Sequence, residues 1–200
     1  MPRPRDLVKR QELLDGVRAY VLDHGLAGLS LRPLARALGT SDRMLLHYFG
    51  TKERLVAEAL TWDATRPFLR ARPLLESAEA PRDAAAMRSL MEDVWQQLRA
   101  PERQTTLRLF LELMTASLHH PDRYGPLVRH VLTDWTDLLT PAFNGLGMTP
   151  ERARTEATLL VSSTFGLLVS PLTDGRWDSA DAAFHTLLDR LENGWMNQSA

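Results

Sequence analysis

The sequence predicts an all-α protein, and three observations predict it. Apolar residues recur at i, i+3, i+4 and i+7 in nearly every stretch between Pro and Gly marks. No segment alternates with period 2 between hairpin turns. The punctuation is helical too, with Ser or Thr ahead of apolar runs and Gly or Pro behind them.

In the first helix, about Asp6 to His24, the residues Leu13, Val17, Tyr20 and Val21 share a stripe, and Gly25 supplies a left-handed stop. Ser30 caps a short second helix that turns Leu31, Leu34, Ala35 and Leu38 inward, and Gly39 ends it. Pro33 falls in its first turn, where a missing N–H costs little. Ser41 caps a third helix to about Phe49, Gly50 breaks it, and Thr51 caps a fourth, expected to run to Pro67. The weakly patterned stretch from Pro67 to Pro81 is expected to be a loop or broken helix. Five longer helices follow. The first carries Met87 to Leu98, and the second, between Pro101 and Pro121, is apolar nearly all round. The third carries Leu127 to Leu139 and is expected to stop near Pro141; the fourth opens at Pro150 and ends at Asp174 and Gly175. The last starts near Asp178. The expected organisation is an N-terminal domain over 1–50 and a helical domain over 51–200, with a connector helix at about 51–66.

A chain of 200 residues buries a stable core without staples, and with no Cys it has neither disulfides nor thiolate metal sites. The longest apolar stretch, Ala157 to Leu172, is interrupted by Thr, Ser and Gly and is shorter than the roughly 20 apolar residues a bilayer crossing needs, so it reads as a buried helix. The basic start, MPRPRDLVKRQ, is followed by no apolar segment, so no secretory signal or membrane anchor is read and a cytoplasmic location is expected. The net charge of −1 is uneven: residues 1–60 hold 10 Lys/Arg against 7 Asp/Glu, net +3, leaving net −4 for the rest. A basic head on an acidic body fits a polyanion met by the head alone.

The residues that carry function are Ala35, Gly39 and Leu45. In a helix-turn-helix the first helix needs a small residue where the two cross, the turn needs a residue that tolerates positive φ, and the second helix needs an aliphatic anchor. Steps of about 100° along the third helix put Ser41, Leu45, Tyr48 and Phe49 on its inward arc. Arg43, Leu46 and His47 then face outward, flanked by Asp42 and Met44, with Arg32 and Arg36 on the helix before. A Ser-capped helix pair in any bundle shares this spacing, so a helical protein-interaction module stays open as an alternative.

The run from Gly25 to Leu60 resembles the N-terminal domain of the TetR family of transcriptional regulators, through Gly25, Ser30, Leu31, Gly39, Ser41, Leu45, Tyr48, Phe49, Lys52 and Leu55. Thr40, Arg43 and Leu46 depart from the family pattern. The resemblance implies a three-helix DNA-binding head that reads a pseudo-palindromic operator as a homodimer, most simply as a repressor. Its contacts are expected from Arg32, Ser41, Asp42, Arg43, Leu46, His47, Tyr48, Thr51 and Lys52. Tyr48 and Lys52 are implied to hold phosphates, and an outward Arg43 reaches guanine O6 and N7.

The resemblance also implies an effector pocket in the body for a small hydrophobic or aromatic compound, expected among Trp62, Met91, Trp95, Phe110, Met114, Trp135 and Phe165. Dimerisation is expected through the last two helices, by Leu160, Val161, Thr164 and Leu168 on one and Phe184, Leu187, Leu188 and Leu191 on the other. His119, His120, Asp122 and His130 raise a metal-dependent hydrolase as a further alternative. His-His at a helix end before Pro is more ordinarily a partner of the helix dipole, and no metal or cofactor is expected. No nucleophile elbow, P-loop or zinc-protease helix is present, so no enzyme is expected.

Overall fold

The structure is a computed structural model that describes residues 4–61 and 81–196. Nine α-helices and no strands occur among the described residues. They are α1 (Pro4–His24), α2 (Leu31–Ala37), α3 (Asp42–Phe49), α4 (Lys52–Thr61), α5 (Ala84–Arg99), α6 (Pro101–His119), α7 (Pro121–Gly145), α8 (Pro150–Asp174) and α9 (Asp178–Met196). The expected loop between Pro67 and Pro81, and the expected end of α4 at Pro67, lie outside the described residues.

The chain forms two compact units, and the division falls inside α6 and α7. One unit joins α1–α4 to residues 105–129; the other joins residues 81–104 to residues 130–196. In the first, α1 packs on α4 and α2 on α3. Leu13, Leu14, Val17 and Val21 give α1 its buried face, and Leu34, Leu45, Phe49 and Leu55 are buried beside it. The Arg10 guanidinium lies 5.0 Å from the centre of the Phe49 ring and pairs with Glu58, which Arg54 also holds at 2.8 Å. These contacts tie three helices of the head together. Gly16 permits the close approach of α2: a Cβ there would meet Leu38 Cδ2 at 2.5 Å.

In the second unit α9 packs on both α5 and α8. Arg88 on α5 bonds three carboxylates, Glu92 at 2.9 Å, Asp189 at 2.7 Å and Glu192 at 3.0 Å. The hydrogen bonds to Asp189 and then Glu192 are the main reason its guanidinium is pushed above its ordinary range. Trp95 is fully buried and stacks on Phe184 with ring centres 4.4 Å apart, while its indole N–H donates to Asp181 Oδ1 at 2.7 Å.

The expectation that a helix stops near Pro141 is corrected: α7 continues through it to Gly145. A proline inside a helix removes one hydrogen bond. Here the extra turn places Phe143, fully buried, edge-on against Trp195 at 5.3 Å, and that burial offsets the lost bond. By length and composition α8 is long and apolar enough to cross a membrane, at mean hydropathy 1.2, but Ala153, Ala157, Leu160, Val161, Phe165 and Leu168 of this helix form a buried face.

Candidate functional site

The geometry of the head is set by its turns. Gly39 sits at φ +60° between α2 and α3, a conformation that costs an L side chain strain. Thr40 N–H returns to the Ala35 carbonyl at 2.9 Å, so the turn is closed by backbone alone. Ser41 is exposed, not on the inward arc; its hydroxyl caps α3 by accepting Met44 N–H at 3.2 Å. Leu45 and Phe49 anchor the helix, both buried, and Tyr48 is half-buried.

That anchoring leaves one side of α3 to solvent. Asp42, Arg43, Met44, Leu46 and His47 are exposed, and Arg32 and Arg36 are exposed on α2. Met44 and Leu46 are both 41% exposed, so this side of α3 does not rest against the core. Asp42 accepts the Arg43 N–H at 2.9 Å, which uses its carboxylate at the first turn.

Thr51 caps α4 by accepting Arg54 N–H at 3.1 Å. Lys52, the first residue of α4, donates its ammonium to the Leu29 carbonyl at 2.9 Å. This bond holds the Lys52 side chain against the turn before α2, and an ammonium has two further protons to give. Glu53 beside it pairs with Arg123 of α7 at 3.0 Å. Its carboxyl is held below the ordinary 4.5, chiefly by its own backbone N–H and, against the opposing effect of burial, by Arg123 and Lys52.

The expected effector residues do not come together as one set. Met91, Trp135 and Phe165 do, in a narrow apolar cleft of the second unit with about 20 Å³ of free space. Leu160, Val161 and Thr164 of α8 line the same cleft. Trp95 does not line it; its ring and N–H are engaged by Phe184 and Asp181. Phe110, buried, and Met114, half-buried, belong to the other unit, and Trp62 lies outside the described residues.

The residues expected at a dimer seam are placed differently too. Leu160, Val161, Thr164, Leu168, Phe184 and Leu188 are buried within the single chain, and Leu187 and Leu191 are half-buried. Periodicity identified the apolar stripes, and those stripes face the chain's own core. A neighbouring line of α8, Leu159, Ser162, Gly166 and Val169, is exposed. His119 and His120 are exposed at the end of α6, the latter edge-on to Tyr124 at 6.4 Å, and no cluster of three metal-ligating side chains occurs among the described residues.

Against known proteins, residues 13–59 match the family described as bacterial regulatory proteins, tetR family. The HTH-type transcriptional repressor AcnR of Corynebacterium efficiens is 33% identical over 104 residues, 52% of this chain and 48% of that protein. The HTH-type transcriptional regulator BetI 1 of Chromohalobacter salexigens is 26% identical over 118 residues, 58% of this chain and 55% of that one. The chain thus spans about half the length of the curated relatives it matches. Over nearly its full length it shares the fold of the multidrug binding protein EbrR crystallised with proflavin, with TM-score 0.69, 23% identity, and 91% of this chain and 98% of that one covered. A transcriptional regulator from Rhodococcus sp. RHA1 aligns with TM-score 0.64 at 22% identity, covering 93% of each chain.

Proposed function

We propose that the chain is a ligand-responsive repressor of the tetR family of bacterial regulatory proteins, a DNA-binding transcription factor and not an enzyme, as the match over residues 13–59 supports. The observation that carries this reading is the exposed side of α3, with Arg43, Leu46 and His47 presented on a helix fixed by the Ser41 cap and the buried Leu45 and Phe49. A helix in the major groove reads base edges with such side chains. Arg43 reads a guanine, Leu46 meets a thymine methyl, and Arg32, Tyr48, Thr51 and Lys52 meet phosphates on either side. The net +3 of residues 1–60 supplies the attraction.

A pseudo-palindromic operator presents two half-sites about 34 Å apart and needs two heads. The exposed line Leu159, Ser162, Gly166 and Val169 suits a two-fold pairing of α8, because Ser162 and Gly166 let backbones approach and Leu159 and Val169, 46% and 47% exposed, gain burial. The apolar cleft is read as the effector site, as a fold-mate described as a multidrug binding protein complexed with proflavin encourages. An effector releases DNA only to the extent that it favours the non-binding arrangement of the heads. The protein works where the DNA is, in the cytoplasm.

A gel shift tests the reading, using DNA from upstream of the protein's own gene and of its neighbours. A salt-sensitive complex that survives excess random DNA is the expected result. Binding of equal strength to every fragment would reduce the head to a non-specific DNA-binding module.

A further inference from the structure

We infer that the cleft of the second unit selects an uncharged, largely apolar molecule carrying one hydrogen-bond acceptor, which the Trp135 indole N–H receives. The inference rests on the effector reading above and narrows it to a ligand class. Trp135 lines the cleft, is 95% buried (5% exposed), and its Nε1 is the buried side-chain polar atom without a hydrogen-bond partner among the described residues.

The other buried tryptophans show how this chain treats such a group. Trp95 donates to Asp181 at 2.7 Å and Trp195 to Glu156 at 3.2 Å, each to a carboxylate from a neighbouring helix. A buried N–H without an acceptor destabilises the fold, and one that lines an unfilled cleft is satisfied by whatever enters. Among the described lining residues the remaining polar side chain is Thr164, whose hydroxyl already donates to the Leu160 carbonyl at 2.8 Å and so offers only lone pairs. Among the described residues of the lining, Trp135 is therefore the side-chain donor that an incoming acceptor can use.

Charge is selected against by the same walls. Among the described residues no ionisable side chain lines the cleft, so these walls offer an entering ion no counter-charge for the water it loses. Phe165 and Trp135 meet edge to face with ring centres 6.0 Å apart and planes at 88°, so the aromatic part of the lining is held in a fixed arrangement. The free space is only about 20 Å³, so a ring enters by displacing the wall, and Met91, with three rotatable side-chain bonds, is the lining residue best able to give.

Three naphthalene probes of matched size separate the possibilities by calorimetric titration of the full chain: 2-acetylnaphthalene, 2-isopropylnaphthalene and a naphthylmethyl-trimethylammonium ion. The ketone is expected to bind about tenfold more tightly than the isopropyl isostere, and the cation weakest of all. Trp135→Phe, checked for native helicity by circular dichroism, is expected to keep hydrocarbon binding and lose the preference for the ketone. Equal affinity for ketone and isostere in the wild type overturns the acceptor inference and leaves the effector site standing. A preference that persists in Trp135→Phe, or the tightest binding by the cation, also overturns it. If none of the three binds, the effector reading of the cleft falls together with the inference.

Discussion

The carboxylate of Glu112, on α6, accepts the backbone N–H of Leu26, in the loop between α1 and α2, and the N–H of Ala27 at 3.1 Å. A side chain 86 residues away thus satisfies the donors of the turn that leads into the helix-turn-helix. The approach is close enough that a Cβ on Gly25, at φ +73°, would lie 2.8 Å from Glu112 Oε1.

Removing that carboxylate is expected to loosen the loop. Glu112→Ala should cost about 1–2 kcal/mol in urea unfolding, and the amides of Leu26 and Ala27 should lose protection from hydrogen exchange while those of α3 keep theirs. Gly25→Ala should cost more than Gly28→Ala. Both glycines have φ +73°, but nothing lies within 4 Å of a Cβ added at Gly28. Equal losses at the two positions would mean that backbone strain alone decides and that the Glu112 contact is slack.

Lys52→Ala is expected to weaken binding to all DNA sequences alike and to lower the slope of log affinity against log salt by about one, because a phosphate contact carries no base information. The same variant loses the bond to Leu29, so its thermal unfolding should be recorded alongside.

Arg43→Ala should show the opposite pattern, a cost of roughly 1–3 kcal/mol at the preferred operator with relaxed choice at one base step per half-site. A parallel fall on operator and random DNA would make Arg43 a backbone contact.

The burial pattern of the last two helices separates a core position from a surface one. Leu188 is fully buried, so Leu188→Glu is expected to unfold the second unit, with loss of helicity. Val169→Glu places its charge at an exposed site, and a folded monomer without operator affinity is the expected product. Sedimentation of Val169→Glu decides where the chains meet; a persisting dimer would move the interface off the outer face of α8.

Acid stability should report on Glu53. Its folded carboxyl titrates below the ordinary 4.5, so it stabilises the fold above about that pH and its contribution is lost as pH falls through the lowered value. Glu53→Gln removes the charge and the pairing with Arg123. The variant should be less stable than wild type near neutrality and approach it in strong acid, as followed by denaturant midpoints across the acid range.

The head was largely legible because its constraints are local. Ala35, Gly39 and Leu45 lie within ten positions of one another, and the caps at Ser41 and Thr51 act three residues ahead. Helix periodicity likewise located all the described body helices. It was silent on which side of an apolar stripe meets what. Trp95 counted as a pocket residue until Asp181, 86 positions later, proved to hold its N–H. Leu160 and Val161 looked like seam residues because an apolar stripe reads the same against a partner or against its own core. Pro141 failed as a stop signal because the burial of Phe143, two residues on, outweighs one missing hydrogen bond.

The division of the chain inside α6 and α7 has a consequence for anyone wishing to exchange specificities between such regulators. A graft that ended at residue 61 would take α3 and leave behind the Glu112 carboxylate, the Arg123 partner of Glu53 and the buried Leu107, Leu109, Phe110 and Leu113 that belong to the same unit. The portable piece is discontinuous. A chimera that carries residues 105–129 with the head should fold and bind as its donor does, and one that carries the first 61 residues alone should express as an unstable hybrid.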